Sequence, residues 1–350
     1  MLFNQKCFAA INSADGFINR FDQYFDPCGL RTLYIIKGGP GTGKSTVMKR
    51  AAEAAEASGH GAARFYCSSD PDSLDGILIP DLSFGVIDGT SPHVTDPKYP
   101  GAADVIFDIY PFLDRKKLTA SRERIIALSR QNAAYHKSSS SYRSFAGCAA
   151  REAMSLMSQC IDHVKMSAAV RRTVSLCKPL PGKAELCQIS AFSAKGSVCL
   201  DTFDKNAKTR IDITDRYGSA YVFMNELKNE LIKKGASFCY SLDTLMPEYC
   251  EAVFIPGTDT VIFIKNGNGA PTDRSVNMDR FIIKEKLRRV RGRIRLCEKI
   301  RSALDTEAMR LIKEAGAVHD EIESIYRECV DFDGLAEKTR GLINEMLTDG

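Results

Sequence analysis

The sequence predicts an α/β protein in which a parallel sheet flanked by helices occurs twice in tandem. Three observations lead to this fold class. A short apolar run, a glycine-rich loop and a helix-forming stretch follow one another within residues 32–50. The second half of the chain repeats the first at an offset of about 170 residues. Long segments with helical apolar spacing close each half, which predicts a C-terminal helical hairpin in both.

Composition limits the class of protein. The 350 residues suffice for two domains, and 44% hydrophobic and 26% charged residues are typical of a globular chain. A net charge of +4 does not by itself indicate nucleic acid. Twelve scattered cysteines indicate reduced thiols rather than a zinc site or a disulfide framework. The N-terminal residues lack a signal-peptide core and no apolar run could span a bilayer, so we expect a soluble, cytoplasmic protein with no membrane partner.

The glycine-rich loop is the most informative local motif. Leu33–Ile36 predicts a buried strand, and Val47–Ser58 predicts a helix. The loop between them matches G-x-x-x-x-G-K-[S/T], the pattern of a phosphate-binding loop (P-loop), and its residues are Gly38, Gly39, Pro40, Gly41, Thr42, Gly43, Lys44, Ser45 and Thr46. Glycines let backbone amides converge on an anion, and the following helix presents its positive end to the same anion.

The polar residues of this loop have separate predicted roles. Lys44 is expected to reach the β- and γ-phosphates, Ser45 to ligate Mg²⁺, and Thr46 to hydrogen-bond nearer the α-phosphate. The fold class is therefore that of a P-loop NTPase. We predict one nucleoside triphosphate site per chain, for ATP with Mg²⁺.

A carboxylate from a neighbouring strand is expected to complete the metal site. The apolar run Leu82–Ile87 ends in Asp88, and we assign the role to Asp88. Asp70, Asp75 and Asp81 have contexts that favour turns and helix caps. No glutamate follows Asp88, where many mechanical ATPases place a water-activating base, and this favours kinase-like or switch-like chemistry.

Four further residues are candidates for accessory roles. The long, proline-rich connection after Asp88 is typical of a functional loop, and its Thr90 and His93 could contact the γ-phosphate or an acceptor. The alternative for His93 is a hydrogen-bonded surface residue. Arg122 and Arg124 are candidates for stabilising charge in the transition state.

The internal repeat divides the chain into residues 1–183 and 184–350. The segment from Phe112 aligns with the segment from Phe281, and the proline- and glycine-containing sequence KPLPGK marks the boundary. In this register a second loop would fall on Ile211–Ala220, which has a single glycine and no Gly-Lys-Ser. Asp215 in that stretch would repel phosphate, so the second half is predicted to keep the fold without the site.

The helical segments predict hairpins with a basic face. His136–Tyr142 is the predicted turn in the first half, and in the second half a helix from Ile283 is expected to return through Ile312–Cys329. Residues 284–301 are rich in lysine and arginine, which could grip an acidic partner or a phosphate backbone. The alternative is a solvated face balanced by acids on the return helix, namely Glu307, Glu314, Asp320, Glu321 and Glu323.

The strings LYIIKGGPGTGKSTVMKR, CSSDPDSLDGILIP and IDGTSPHVTDPKYPGA resemble a family of bacterial proteins with tandem P-loop ATPase domains, some of them labelled nucleotide kinase-like. The resemblance covers essentially the whole chain. It implies phosphate and metal binding by Gly38, Gly43, Lys44, Ser45 and Thr46, with Asp88 as the acidic partner. Many members keep a second glycine loop, and this chain departs from that pattern.

Two functions of different classes fit these observations. The first is a Mg²⁺-dependent ATPase or kinase-like phosphotransferase, with Lys44 and Asp88 as catalytic residues. The second is a nucleotide-gated regulatory or scaffold protein with little turnover, whose hairpins dock a protein partner. Nucleic acid bound by residues 284–301 is a third alternative.

Overall fold

The structure, a computed structural model, describes residues 5–264 and 272–348. The first half of the chain contains β1 (Lys6–Cys7), β2 (Ala10–Ser13), β3 (Gly16–Asn19), α1 (Phe21–Tyr24), β4 (Thr32–Lys37), α2 (Lys44–Ala57), β5 (Ala63–Tyr66), β6 (Leu74–Ile79), β7 (Phe84–Asp88), β8 (Asp104–Asp108), α3 (Arg115–Ala120), α4 (Arg122–Ser158) and α5 (His163–Cys177).

The second half begins with β9 (Ala184–Leu186), β10 (Ser190–Ser193), β11 (Gly196–Cys199), α6 (Thr202–Asn206), β12 (Thr209–Thr214), α7 (Ala220–Lys233), β13 (Phe238–Leu242), β14 (Cys250–Ile255) and β15 (Thr260–Ile264). It ends with β16 (Arg274–Asn277), α8 (Lys284–Arg327) and α9 (Phe332–Thr348). Helices and strands alternate over most of the described chain, so the fold is α/β.

Two six-stranded sheets of matching topology form the framework. The first has the strand order β1-β5-β6-β7-β4-β8, and the second has the order β9-β13-β14-β15-β12-β16. The predicted all-parallel sheet is wrong in one respect, since β6 and β14 run antiparallel to both neighbours. The reason is local: short turns join β6 to β5 and β7, and a strand joined by hairpins must reverse direction.

The two sheets face each other across a shared core. Leu33, Ile35 and Ile87 of the first sheet lie in one hydrophobic cluster with Phe254 and Val261 of the second. Small hairpins, β2–β3 and β10–β11, lie at the edge of this core. Strands buried on both faces need a continuous apolar composition, which explains why β4, β7, β14 and β15 are so hydrophobic in sequence.

Helices α4 and α8 pair with each other instead of folding back on themselves. Ser139 Oγ of α4 donates to the Ala308 carbonyl oxygen of α8 at 2.8 Å, and Arg143 forms an ion pair with Asp305 at 2.9 Å. Arg124 pairs with Glu321, so residue numbers rise along one helix as they fall along the other. The pair is antiparallel.

The predicted hairpins are therefore wrong. His136–Tyr142 lies inside the 37-residue helix α4, where its hydroxyls bond within the helix or across to α8 rather than to a turn. The predicted outgoing and return segments of the second half form one 44-residue helix, α8. Each long helix finds its apolar partner in the other half, and this removes the need for a local return.

The last helix of each half covers the sheet of the other half. Leu335, Leu342 and Met346 of α9 pack with α2 against the first sheet. Met166 and Val170 of α5 pack with α7 against the second sheet. The two halves thus complete each other's hydrophobic cores.

The acids expected opposite the basic segment of α8 are not there, because they lie further along the same helix. Among the described residues, Glu152 of α4 reaches across to Arg293 at 2.8 Å. All twelve cysteines fall within the described ranges and are free thiols, as predicted. Within those ranges, no helix has the length and apolarity that a membrane crossing requires.

The α4–α8 pair can be tested with two arginines on α4. Arg143 is buried, stacks over the Phe192 ring at 4.2 Å and pairs with Asp305, which still pairs with Arg301 when Arg143 is removed. We expect Arg143→Ala to lower the free energy of unfolding by about 2–3 kcal/mol, because charged hydrogen bonds and the packing on Phe192 are lost. The matched variant Arg124→Ala breaks the exposed pair with Glu321 and should cost about 0–1 kcal/mol. Urea denaturation measures both free energies of unfolding. Equal losses in the two variants would show that Arg143 contributes no more to the α4–α8 contact than the exposed Arg124 does.

Candidate functional site

The glycine-rich loop lies between β4 and α2, at the carboxyl end of β4. Gly41 and Gly43 have φ values of +65° and +92°, which L side chains adopt only with strain. Thr42 Oγ1 donates to the Gly39 carbonyl oxygen at 2.8 Å and holds the loop curled. Helix α2 begins after Gly43 without a side-chain cap. The first amides of α2 therefore have no capping side chain from the residue before the helix.

Lys44 and Asp88 meet beside this loop, as expected for a phosphate site. Lys44 Nζ donates to the Gly39 carbonyl oxygen at 2.8 Å and lies 3.5 Å from Asp88 Oδ2. Strand β7 is the parallel neighbour of β4, with Ile36 opposite Asp88, and this pairing places the carboxylate next to the loop. Only 14% of the Lys44 side chain and 12% of the Asp88 side chain are exposed, so the pair is poorly screened by solvent.

The other predicted loop residues have different surroundings. Ser45 Oγ accepts a hydrogen bond from the Leu74 backbone N–H at 3.0 Å, which turns the hydroxyl toward β6. Gly38 is buried, and a Cβ there would lie 2.8 Å from Thr42 Oγ1. Thr46 is exposed on the first turn of α2.

Two accessory candidates, Thr90 and His93, belong to this site. Thr90 donates to Asp88 Oδ1 through its backbone N–H at 2.9 Å and its hydroxyl at 2.6 Å, so it orients the carboxylate. His93 is buried between the Phe17 and Phe21 rings rather than exposed on the loop surface. Burial alone would lower the pKa of His93, but the nearby Asp75 carboxylate raises it above the usual value.

Asp75 lies at this site, although the sequence analysis weighed it against Asp88 and assigned it to a turn or helix cap. It begins the apolar part of β6 and is buried, with Oδ2 3.6 Å from His93 Nε2. Its neighbours in the prediction behave as expected, because Asp70 accepts from Ser73 in a turn and Asp81 lies near His60 at the surface. The apolar strand that directly follows Asp75 was the available signal.

The end of α8 covers the loop, which sequence reasoning also missed. Gly41 N–H donates to Glu323 Oε1 at 3.2 Å, so a carboxylate from α8 occupies one amide of the glycine-rich loop. The Tyr326 ring lies against Gly39, where a Cβ would come within 2.6 Å of it. No local pattern could reveal these contacts, because they join the two ends of the chain.

The two candidate arginines lie beside this cover. Arg122 and Arg124 occupy the exposed first turn of α4. Arg124 is engaged with Glu321, which is one of the residues on the end of α8 near the loop. The structure brings neither arginine into hydrogen-bond contact with the P-loop.

In the second half, the turn between β12 and α7 corresponds to the glycine-rich loop, and a carboxylate from the turn itself accepts hydrogen bonds from its amides. Asp215 follows β12 as Gly38 follows β4, and its carboxylate accepts from the N–H groups of Arg216, Tyr217 and Ala220. The Ser219 hydroxyl donates to it as well, at 2.8 Å. Asp215 thus occupies the amides at the start of α7 that an external anion would need.

Gly41 can be tested against a glycine with similar backbone geometry. Gly59 also has a positive φ, +91°, but a Cβ there meets nothing within 4 Å. A Cβ on Gly41 would lie 2.6 Å from the Glu323 carbonyl oxygen and 2.9 Å from its Cα. Gly59→Ala should therefore cost only the backbone strain, about 1–2 kcal/mol. Gly41→Ala should cost about 1–3 kcal/mol more in denaturant unfolding, and equal losses would mean that α8 does not press on the loop.

Comparison of the chain with protein-family models, with curated proteins and with solved structures gave no match.

Proposed function

We propose that this protein binds a nucleoside triphosphate, ATP with Mg²⁺, at Gly38–Thr46, and that it belongs to the P-loop NTPases. The observation that carries the proposal is the uncapped start of α2 behind a loop with two left-handed glycines. Loops of this kind bind phosphate because converging amides and the positive helix end act on the same anion. Lys44 supplies the one ammonium group that such a site requires.

The donor set beside the loop fits a magnesium ion. Mg²⁺ prefers oxygen ligands, and the Ser45 hydroxyl and the Asp88 carboxylate would hold it. When bound, Mg²⁺ would offset negative charge on the phosphates during phosphoryl transfer. Thr90 fixes the Asp88 carboxylate from behind by two hydrogen bonds. Lys44 would stabilise charge on the bridging oxygen, which makes ATP hydrolysis or transfer to an acceptor the reaction class.

The matching topology of the two sheets supports descent from a duplicated ancestor, as in the tandem P-loop family that the sequence resembles. Of the two equivalent helix starts, that of α2 has no carboxylate from its own loop. In the second half, the Asp215 carboxylate satisfies the same helix terminus. We therefore propose one nucleotide per chain and a structural role for the second site.

A nucleotide-gated regulatory function is the second candidate, and the contact between Gly41 and Glu323 favours it. A triphosphate and the Glu323 carboxylate would compete for one amide. Nucleotide binding would then release the end of α8 from the loop, and α8 is packed along α4 over most of its length. Such a shift could change a surface recognised by a protein partner.

The nucleotide site is tested by calorimetry with a non-hydrolysable ATP analogue. We expect one equivalent per chain, and Lys44→Ala should weaken binding by about 10- to 150-fold because a charge-assisted hydrogen bond is lost. Asp88→Asn should retain nucleotide without Mg²⁺ but lose the Mg²⁺-dependent turnover in a phosphate-release assay. The control is Lys49→Ala, since Lys49 lies on the same helix but bonds to the Asp72 carbonyl oxygen. Unchanged binding and turnover in both site variants would refute the assignment.

The competition at Gly41 is tested with two neighbouring glutamates. Glu323→Ala removes the internal carboxylate and should tighten nucleotide binding about three- to tenfold, since one hydrogen bond no longer opposes the ligand. Glu321→Ala is the matched control because Glu321 pairs with Arg124 instead. Weaker binding by Glu323→Ala would instead mean that Glu323 assists the nucleotide.

A further inference from the structure

A cluster of three buried side chains lies next to the P-loop and is only partly used by the proposed function. Asp75 and Asp88 come from adjacent antiparallel strands, and the pairing of Gly76 with Ile87 places them side by side at the end of the sheet. His93 reaches the same point from the connection between β7 and β8. All three side chains are buried.

The donor atoms of this cluster are close enough to share an ion. One atom each from Asp75, Asp88 and His93 lies within 4.8 Å of the others. Ligands of a common cation at about 2.1 Å are separated by roughly 3–4 Å, so a small contraction would complete the site. The distance of 3.6 Å between His93 Nε2 and Asp75 Oδ2 falls in that range and is too long for a hydrogen bond.

Two of the buried atoms have no hydrogen-bond partner in the described part of the chain. They are Asp75 Oδ2 and His93 Nδ1. A buried carboxylate oxygen without a donor is costly, and natural proteins rarely leave one in that condition. Asp88 differs, because Thr90 satisfies its Oδ1 and leaves Oδ2 directed toward Lys44. Such an oriented carboxylate is typical of a metal ligand with a supporting hydrogen bond.

In the second half, the acid equivalent to Asp75 is Glu251, and it has hydrogen-bond donors of its own. Glu251 is the second residue of β14 as Asp75 is of β6, and burial raises its pKa to about 8. The hydroxyls of Ser190 and Ser241 both donate to its Oε1. The corresponding residues of the first half are Ala10 and Phe65, which offer no donor. Asp75 therefore needs a partner of another kind.

His93 decides the class of ion. Its imidazole is held between two aromatic rings, with centroid distances of 5.7 Å to Phe17 and 5.1 Å to Phe21, so its rotation is restricted. Mg²⁺ strongly prefers oxygen ligands, whereas first-row transition cations accept imidazole nitrogen together with carboxylates.

We propose that Asp75, Asp88 and His93 bind a divalent first-row transition cation, such as Mn²⁺ or Zn²⁺, in preference to Mg²⁺ and without any nucleotide. The site shares Asp88 with the proposed nucleotide site but does not depend on it. Because Asp88 Oδ2 lies 3.5 Å from Lys44 Nζ of the glycine-rich loop, a cation held by Asp88 would also lie near a triphosphate bound there. The preference for a transition cation follows from His93.

Calorimetry on the full chain, freed of metal by a chelator and without nucleotide, tests this directly. We expect one equivalent of Mn²⁺ or Zn²⁺, with Mg²⁺ bound at least about tenfold more weakly. His93→Ala should weaken Mn²⁺ binding at least about tenfold, and Asp75→Asn should weaken it as well. His60→Ala is the matched control, because His60 lies 3.8 Å from Asp81 in a surface pair outside the cluster.

A second measurement separates loss of the site from loss of the fold. Cation binding should raise the thermal midpoint of the unsubstituted protein, and this rise should be absent in His93→Ala even if that variant is less stable at the outset. Lys44→Ala should lose nucleotide yet keep the cation. If the protein binds nucleotide normally but binds no cation when nucleotide is absent, only this inference is overturned and the proposed function stands. Equal affinity of His93→Ala and the unsubstituted protein for Mn²⁺ would show that Asp75 and His93 form an ion pair only.

Discussion

The antiparallel packing of α4 against α8 is the constraint on which the rest of the architecture depends. It carries the chain from each half across to the other, so that α5 lies on the second sheet and α9 on the first. Neither half can bury its own sheet without the last helix of its partner. Buried polar contacts such as Arg143 with Asp305 fix the register of the two long helices. The same register sets which residues of α8 contact the glycine-rich loop after β4.

The helices that follow β4 and β12 differ in how their first amides are hydrogen-bonded. The start of α2 has no internal cap, and two left-handed glycines keep its amides accessible. The start of α7 is satisfied by Asp215, which accepts several hydrogen bonds from the turn before it. A carboxylate follows β12 where a glycine follows β4, and this carboxylate accepts hydrogen bonds from the amides at the start of α7. At the first loop the carboxylate comes instead from α8, where Glu323 accepts from the Gly41 N–H.

The two halves also differ in how a buried acid is hydrogen-bonded, namely Asp75 in β6 and Glu251 in β14. Burial raises the pKa of Glu251 to about 8, and the hydroxyls of Ser190 and Ser241 donate to its carboxyl group, which suits a group with only structural duties. Asp75 has neither device and lies beside Asp88 and His93. A buried carboxylate oxygen without a hydrogen-bond donor is uncommon, and Asp75 Oδ2 is one such atom beside the glycine-rich loop.

The sequence by itself determined the local features of this protein: the strand, glycine loop and helix around Lys44, the strand that ends in Asp88, and the lack of a glycine-rich loop between β12 and α7. Those features depend on backbone preferences and on neighbours a few residues apart. Only the tertiary structure decided that α4 and α8 are single helices, that His93 meets Asp75, and that Glu323 covers Gly41. These outcomes depend on apolar and charged surfaces brought together from distant parts of the chain. Apolar spacing predicts a helix, but it does not reveal whether the segment that packs against that helix is near or far in sequence.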